Sequence, residues 1–261
     1  MVYNRPMVRN ARIANSSPII EIRDFSLELG GKKIIKNLSF EVMRGEVFGF
    51  LGSNGSGKTT TLRTLLGLYR PTAGELLVDG GPYSVSGGVK LGYLPEERGL
   101  YKKEKVLDVM LYFGELKGMS RADAREFSLE YLKRVQLDDK ATIRLDKLSG
   151  GQQQKVQLGV TIMNNPELLI LDEPTKGFDP VNRRLLMNII EERKKAGATI
   201  VFVSHHMEEV ERLCDRAILL KDGQSEAYGT ISNIKKEFGC TSMDDVFVKV
   251  YGGEATEGGD E

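Results

Sequence analysis

The densest chemical signal in the chain is the run Gly52-Ser53-Asn54-Gly55-Ser56-Gly57-Lys58-Thr59. Its pattern is Gly, four residues, then Gly-Lys-Thr. A short apolar stretch, Glu46–Leu51, precedes it, and a stretch with helical character follows, from Lys58 to about Leu68. Strand, turn and helix in that order form the context a phosphate-binding loop requires. Glycines tolerate positive φ and close approach, so backbone N–H groups can turn inward around phosphate oxygens. The helix N-terminus adds partial positive charge. In such a loop Lys58 neutralises β- and γ-phosphate oxygens, and the Thr59 hydroxyl can ligate Mg²⁺. The competing interpretation is a Gly-rich turn without a ligand, which the full match in this context disfavours.

Three further clusters carry chemistry. Leu168-Leu169-Ile170-Leu171-Asp172-Glu173-Pro174 is an apolar strand with two carboxylates at its C-terminal end, where open parallel sheets place their ligands. Asp172 is suited to holding Mg²⁺, directly or through water, and Glu173 to polarising an attacking water as general base. By itself the pair equally describes a strand ending in solvated acids. Leu148-Ser149-Gly150-Gly151-Gln152 opens a helix and combines a hydroxyl, exposed N–H groups and a helix N-terminus, which makes it a second anion site or simply a Ser N-cap. Ser204-His205 ends the apolar stretch Thr199–Val203. If that stretch lies parallel to Leu168–Asp172, His205 can contact a γ-phosphate or orient Glu173, although a lone strand-end histidine is more often structural.

The elements that must position these residues alternate. Ile19–Leu29 and Ile34–Val42 form an opening antiparallel hairpin, with Ile20, Ile22 and Leu27 inward. Short strands are expected near Glu75–Val78 and Lys90–Tyr93. Val106–Lys117, Arg121–Gln136 and Gly151–Asn164 have apolar positions at helical spacing. In the second of these the apolar residues are Ala124, Phe127, Leu129, Leu132 and Val135. This run of helices reads as an inserted lobe at about 102–164. Strand and helix then alternate again: Leu168–Asp172, Pro180–Lys195, Thr199–Ser204 and Met207–Leu213. A hairpin around Asp222-Gly223 follows. The expected fold class is α/β, a parallel sheet with helices on both faces. The expected domain is a single one over 18–251, between disordered tails at 1–17 and 252–261.

Composition narrows the partners. The 261 residues carry 37 Lys+Arg and 37 Asp+Glu, a formal net charge of zero, so no global field attracts nucleic acid. Cys214 and Cys240 match no metal or redox spacing. No apolar run approaches the roughly 18 residues needed to cross a bilayer.

The four motifs, in this order, resemble the ABC ATPase family, and Leu-Ser-Gly-Gly-Gln is the feature that separates that family from other P-loop proteins. The similarity runs over about 18–250. It implies a P-loop (RecA-like) core with an antiparallel β subdomain and a helical subdomain. It further implies that Gly52–Thr60, Thr60 included, is the Walker A loop and Ser149–Gln152 the signature. Leu168–Glu173 would be Walker B, Gly177-Phe178-Asp179 the D-loop and His205 the switch histidine. Tyr93-Leu94-Pro95-Glu96 stands where a Q-loop belongs, with Glu96 in place of the usual glutamine. A carboxylate there can still approach Mg²⁺; alternatively it is an acidic surface loop. Leu29 falls where the family usually stacks adenine on an aromatic ring, and Phe25 is an off-register substitute. Pro95–Tyr101, Glu115–Met119 and Asp244–Lys249 look like ATPase subunits of ABC-2-type exporters, including sodium- and drug-efflux systems.

The resemblance implies ATP and Mg²⁺ as cofactors, a second ATP-binding subunit in a head-to-tail pair, and a separate integral membrane permease on whose cytoplasmic side the chain works, with export favoured over import. Two rivals are an ABC ATPase acting on nucleic acid or ribosomes and a regulatory module that binds nucleotide without hydrolysis. The absence of long coiled coils and of tandem cassettes disfavours the first, and intact Asp172, Glu173 and His205 disfavour the second.

Overall fold

The computed structural model describes residues 17–84, 88–97 and 99–252. The expected disordered tails therefore lie almost wholly outside the described residues, as does Arg98. The described residues fold around two sheets. One is antiparallel, with the order β2 (Lys32–Met43), β1 (Pro18–Leu29), β4 (Ala73–Val78). The other has six strands, in the order β5 (Leu91–Leu94), β6 (Leu168–Asp172), β7 (Thr199–Val203), β3 (Val47–Gly52), β8 (Arg216–Lys221), β9 (Gln224–Thr230). Its strands are parallel except for the β8–β9 hairpin. The two short strands expected near 75–78 and 90–93 thus part company: β4 joins the opening hairpin and β5 edges the parallel sheet.

The central strands are apolar along their whole length because both faces are covered. Val47 and Leu51 of β3 point into one core with Leu169, Leu171, Ile200 and Phe202, while Phe48 and Phe50 point into the other with Leu168, Ile170, Val201 and Val203. Each such side chain contributes about 1.5–3 kcal/mol on burial. The first core is roofed by helices. The second is closed by α1 (Lys58–Leu65) together with the antiparallel sheet, so that face is only partly helical.

The helical segment contains α2 (Val106–Leu116), α3 (Arg121–Arg134) and α4 (Gly150–Ile162), with two short 3₁₀ turns between the last two. The inward face of α3 differs from the expected one. Ala124, Leu132 and Val135 are buried, but Leu129 is 39% exposed, and Ser128 and Tyr131 turn inward instead. Both polar groups are satisfied: Ser128 Oγ donates to Ala124 O at 2.6 Å and Tyr131 Oη to Lys155 O at 2.7 Å. Gly159 of α4 makes room for that ring, since a Cβ there would lie 2.4 Å from Tyr131 Cε1. Helix α5 (Pro180–Lys195) starts with Asp179 capping the Asn182 N–H at 2.9 Å, and α6 (Met207–Leu213), α7 (Ile231–Glu237) and α8 (Met243–Tyr251) are the remaining helices among the described residues. No helix among the described residues is long and apolar enough to cross a membrane.

Candidate functional site

The C-terminal ends of β3, β6 and β7 lie side by side, with Gly52, Asp172 and Val203 at their tips. That adjacency brings together residues 52–59, 172–173 and 205. They line an open cleft of about 520 Å³ formed by Gly52–Gly55, Gly57–Thr60, Glu96, Asp172, Glu173, Lys176 and His205. Ser56 is buried beneath it.

The loop owes its shape to its glycines. Gly52, Gly55 and Gly57 have φ of 151°, 81° and 107°. At Gly52 a Cβ would sit 2.4 Å from Ser56 Oγ and 2.6 Å from Leu220 O, so a side chain is excluded twice over. Lys58, 8% exposed, bends back so that Nζ donates to Gly52 O at 2.8 Å and Ser53 O at 2.9 Å. Burial lowers the pKa of its ammonium group, while Glu173, Asp172 and Glu96 pull the other way.

Asp172 is 1% exposed and accepts from Thr59 Oγ1 at 3.3 Å. Burial pushes its carboxyl up to about 6, helped by the charges of Glu96 and Glu173 and opposed by Lys58. Glu173 is 8% exposed and has φ of 49°. Such a conformation costs a non-glycine residue about 1–3 kcal/mol and persists only where its surroundings hold it. The hold is the β6–β7 pairing: Glu173 N–H donates to Val203 O at 3.0 Å. His205 Nδ1 stands 2.8 Å from Glu173 Oε2. A buried carboxylate beside an imidazole at the rim of a phosphate cradle is the kind of group that general-base chemistry uses.

Some expected site residues lie elsewhere. Ser149, Gly150, Gly151 and Gln152 do not line this cleft. They cap α4 in a reciprocal box: Gln152 N–H donates to Ser149 Oγ at 3.3 Å and Ser149 N–H to Gln152 Oε1 at 2.9 Å. Leu29, 39% exposed at the hairpin end, does not line the cleft either, and Phe25 is fully buried in the core. Glu96 does line it, with its carboxylate 2.6 Å from Lys176 Nζ.

Three residues of the site carried no motif. Lys176 neutralises Glu96; the only sequence signal was a cation in the loop after Glu173. Buried Glu209 accepts from Thr175 Oγ1 at 2.9 Å and Ser204 Oγ at 3.4 Å, tying the segment after Glu173 to the one before His205. Tyr251 touches the phosphate loop from 198 positions away, a contact that no local pattern announces.

Comparison with known proteins agrees with this geometry. The ABC transporter family model matches residues 35–176. An uncharacterized ABC transporter ATP-binding protein of Methanocaldococcus jannaschii is 45% identical over 217 residues, covering 83% of this chain and 79% of its own. Nod factor export ATP-binding protein I of Paraburkholderia xenovorans is 39% identical over 225 residues, 85% of this chain and 74% of its own. Among solved structures, a dimeric post-hydrolysis ATP-binding cassette bound to ADP and Pi superposes with a TM-score of 0.72 at 27% identity, covering 81% of this chain and 98% of that one. The expected family, α/β fold and ATPase activity are therefore shown, and the chain belongs to the ABC transporter family as an ATP-binding ATPase subunit.

Proposed function

We propose that this ATPase works as one half of a head-to-tail pair, in which the signature of each chain completes the ATP site of the other, and that the pair drives export through a separate membrane permease. The observation that carries the pairing is the division of the site. One chain gathers the phosphate loop, the two carboxylates and His205 in one cleft, while its second anion-binding helix terminus, Ser149–Gln152, lies outside that cleft. The dimeric form of the similar cassette supports the pairing, and the export role of the Nod factor relative supports the direction. The chain would then sit at the cytoplasmic face of a membrane, held there by the permease.

Within each site, the loop N–H groups and Lys58 bind the triphosphate, and Glu173 takes the proton from the attacking water while His205 holds that carboxylate in place. Thr59 and Asp172 present two hard oxygen donors 3.3 Å apart, and the crowded carboxylates leave that corner short of positive charge. This donor set fits Mg²⁺, which binds through one or two protein oxygens together with substrate phosphates. The cation would supply neutralisation of charge on the phosphate oxygens. Glu96, paired with Lys176, lines the same cleft and would be a further oxygen donor to that shell. ATP can close the pair only to the extent that it binds the closed form better than the open one.

Gly151→Asp tests the sharing. The position has room, since a Cβ there makes only ordinary contact with the Phe178 ring at 3.6 Å. The variant is expected to bind a fluorescent ATP analogue with wild-type affinity in its own cleft. Its turnover is expected to fall roughly a hundredfold or more, because a carboxylate then faces the partner's phosphates where donors should stand. Wild-type turnover in this variant would remove the shared site.

A further inference from the structure

Helix α8 reaches a part of the site that no motif describes. Ser242 caps it, accepting from Asp245 N–H at 3.1 Å, and Met243 and Val246 bury themselves in the main core. Near its start, Met243 N–H donates to Glu211 Oε1 at 3.2 Å, and Glu211 belongs to α6, the helix that begins directly after His205-His206. At its other end, Tyr251 arrives beneath the phosphate loop. Ser53 N–H donates to Tyr251 Oη at 3.0 Å, and that hydroxyl donates in turn to Leu220 O at the end of β8. The ring is held independently of the hydroxyl: Phe247 lies 4.5 Å away centroid to centroid, and Lys221 Nζ lies 5.8 Å over the face while donating to Val250 O at 2.9 Å.

The peptide held in this way also positions the key cation. Lys58 Nζ rests on the carbonyls of Gly52 and Ser53, so a shift of Ser53 moves one of its two anchors. The loop has little stiffness of its own, because Gly52, Gly55 and Gly57 all occupy φ values that only glycine takes freely. Another brace is Gly223 N–H, which donates to Ser56 O at 3.2 Å. Without Tyr251 the first half of the loop loses its only cross-link to the C-terminal helices among the described contacts.

We propose that Tyr251 is a positioning residue for ATP binding: its hydroxyl fixes the Ser53 peptide, and through it Lys58, so that α8 straps the phosphate loop to the helix following His205 and sets nucleotide affinity. Tyr251 does not line the cleft and acts through Ser53 alone. The inference rests on the assignment of the Gly52–Thr60 cleft to ATP.

The test is Tyr251→Phe in the full chain, which keeps the ring and its packing and removes only the hydroxyl. A fluorescent ATP analogue is titrated at 25 °C into wild type, Tyr251→Phe and Lys58→Met, with thermal midpoints recorded for all three. Loss of the hydroxyl's two half-buried hydrogen bonds, one of which fixes the Ser53 peptide, is expected to raise the Kd of Tyr251→Phe by roughly 3- to 10-fold. The KM for ATP should rise by a similar factor and kcat should stay unchanged, because Tyr251 does not line the cleft that holds Glu173. An unchanged Kd would overturn the proposal, and a lower thermal midpoint with unchanged Kd would leave Tyr251 a packing role only. Failure of wild type to bind the analogue more tightly than Lys58→Met would instead count against the cleft assignment, a distinguishable outcome.

Discussion

Glu173→Gln is expected to bind ATP at least as tightly as wild type while its turnover falls by roughly 10²–10⁴, the range that a positioned general base contributes. The substitution is nearly isosteric. The backbone hold on Val203 O is untouched, so the positive-φ turn that aims the side chain should survive. What changes is basicity and charge. An amide cannot accept the proton, and removing one of three negative side chains from the cleft leaves the triphosphate less repelled. The variant should therefore accumulate in an ATP-loaded, closed pair, visible as an ATP-dependent doubling of mass by light scattering. Asp172, His205 and Glu96 are the other groups lining the cleft able to take a proton. If Glu173→Gln hydrolyses ATP normally, the role passes to one of them and the geometry at Glu173 is structural.

Lys58→Met should do the opposite, losing ATP affinity before any chemistry. The methionine keeps the apolar stem that a buried lysine packs along and removes the ammonium. A hydrogen bond to a charged group is worth about 1.5–3 kcal/mol, so loss of its contacts to phosphate oxygens should raise the Kd by roughly a hundredfold. The loss is compounded by what surrounds it. Asp172, Glu173 and Glu96 all lie near enough to act on Lys58, and without it Lys176 is the one lysine or arginine left among the described residues lining the cleft. Titration of a fluorescent ATP analogue measures this directly, and affinity within a few-fold of wild type would show that the loop N–H groups and the helix terminus suffice.

How far each element could be read from sequence depended on local punctuation. The helix Pro180–Lys195 has both its ends where the pattern puts them, because Asp179 caps it and Pro180 sits at the tolerated first position. The strand Leu168–Asp172 is likewise bounded as expected. Helix α1 stops at Leu65 rather than Leu68 because Gly67, at φ of 76°, turns its end and Leu68 N–H closes back on Arg63 O at 2.8 Å. The face of α3 was misjudged because periodicity counts Leu129 as apolar and Ser128 as polar. A serine that bonds its own helix can be buried where Gly159 opposite admits a tyrosine. Strand pairing was the least legible. Nothing local tells β4 to join β1 across some fifty residues, or tells the antiparallel sheet to close one face of the parallel one.

The site divides in the same manner. The contiguous residues 52–59, 172–173 and 205 meet because they end neighbouring parallel strands, and the alternation of strand and helix anticipates that meeting. Lys176 beside Glu96, Glu209 beneath Thr175 and Tyr251 beneath Ser53 are contacts between distant segments, set by packing and not by spacing. The departure at Glu96 also takes on a different meaning. Its extra negative charge comes with its own counterion, 2.6 Å away, although an exposed pair of this kind contributes only about 0–1 kcal/mol.

The central claim is that two chains share each ATP site, and mixing two inactive chains tests it most directly. Lys58→Met has a crippled phosphate loop and an intact signature; Gly151→Asp has the reverse. Each alone should be nearly inactive. In a head-to-tail mixed pair, the intact loop of one meets the intact signature of the other, and ATPase activity should return on mixing. A mixture that stays as inactive as its components, with both chains folded and Gly151→Asp still binding nucleotide, would contradict the account.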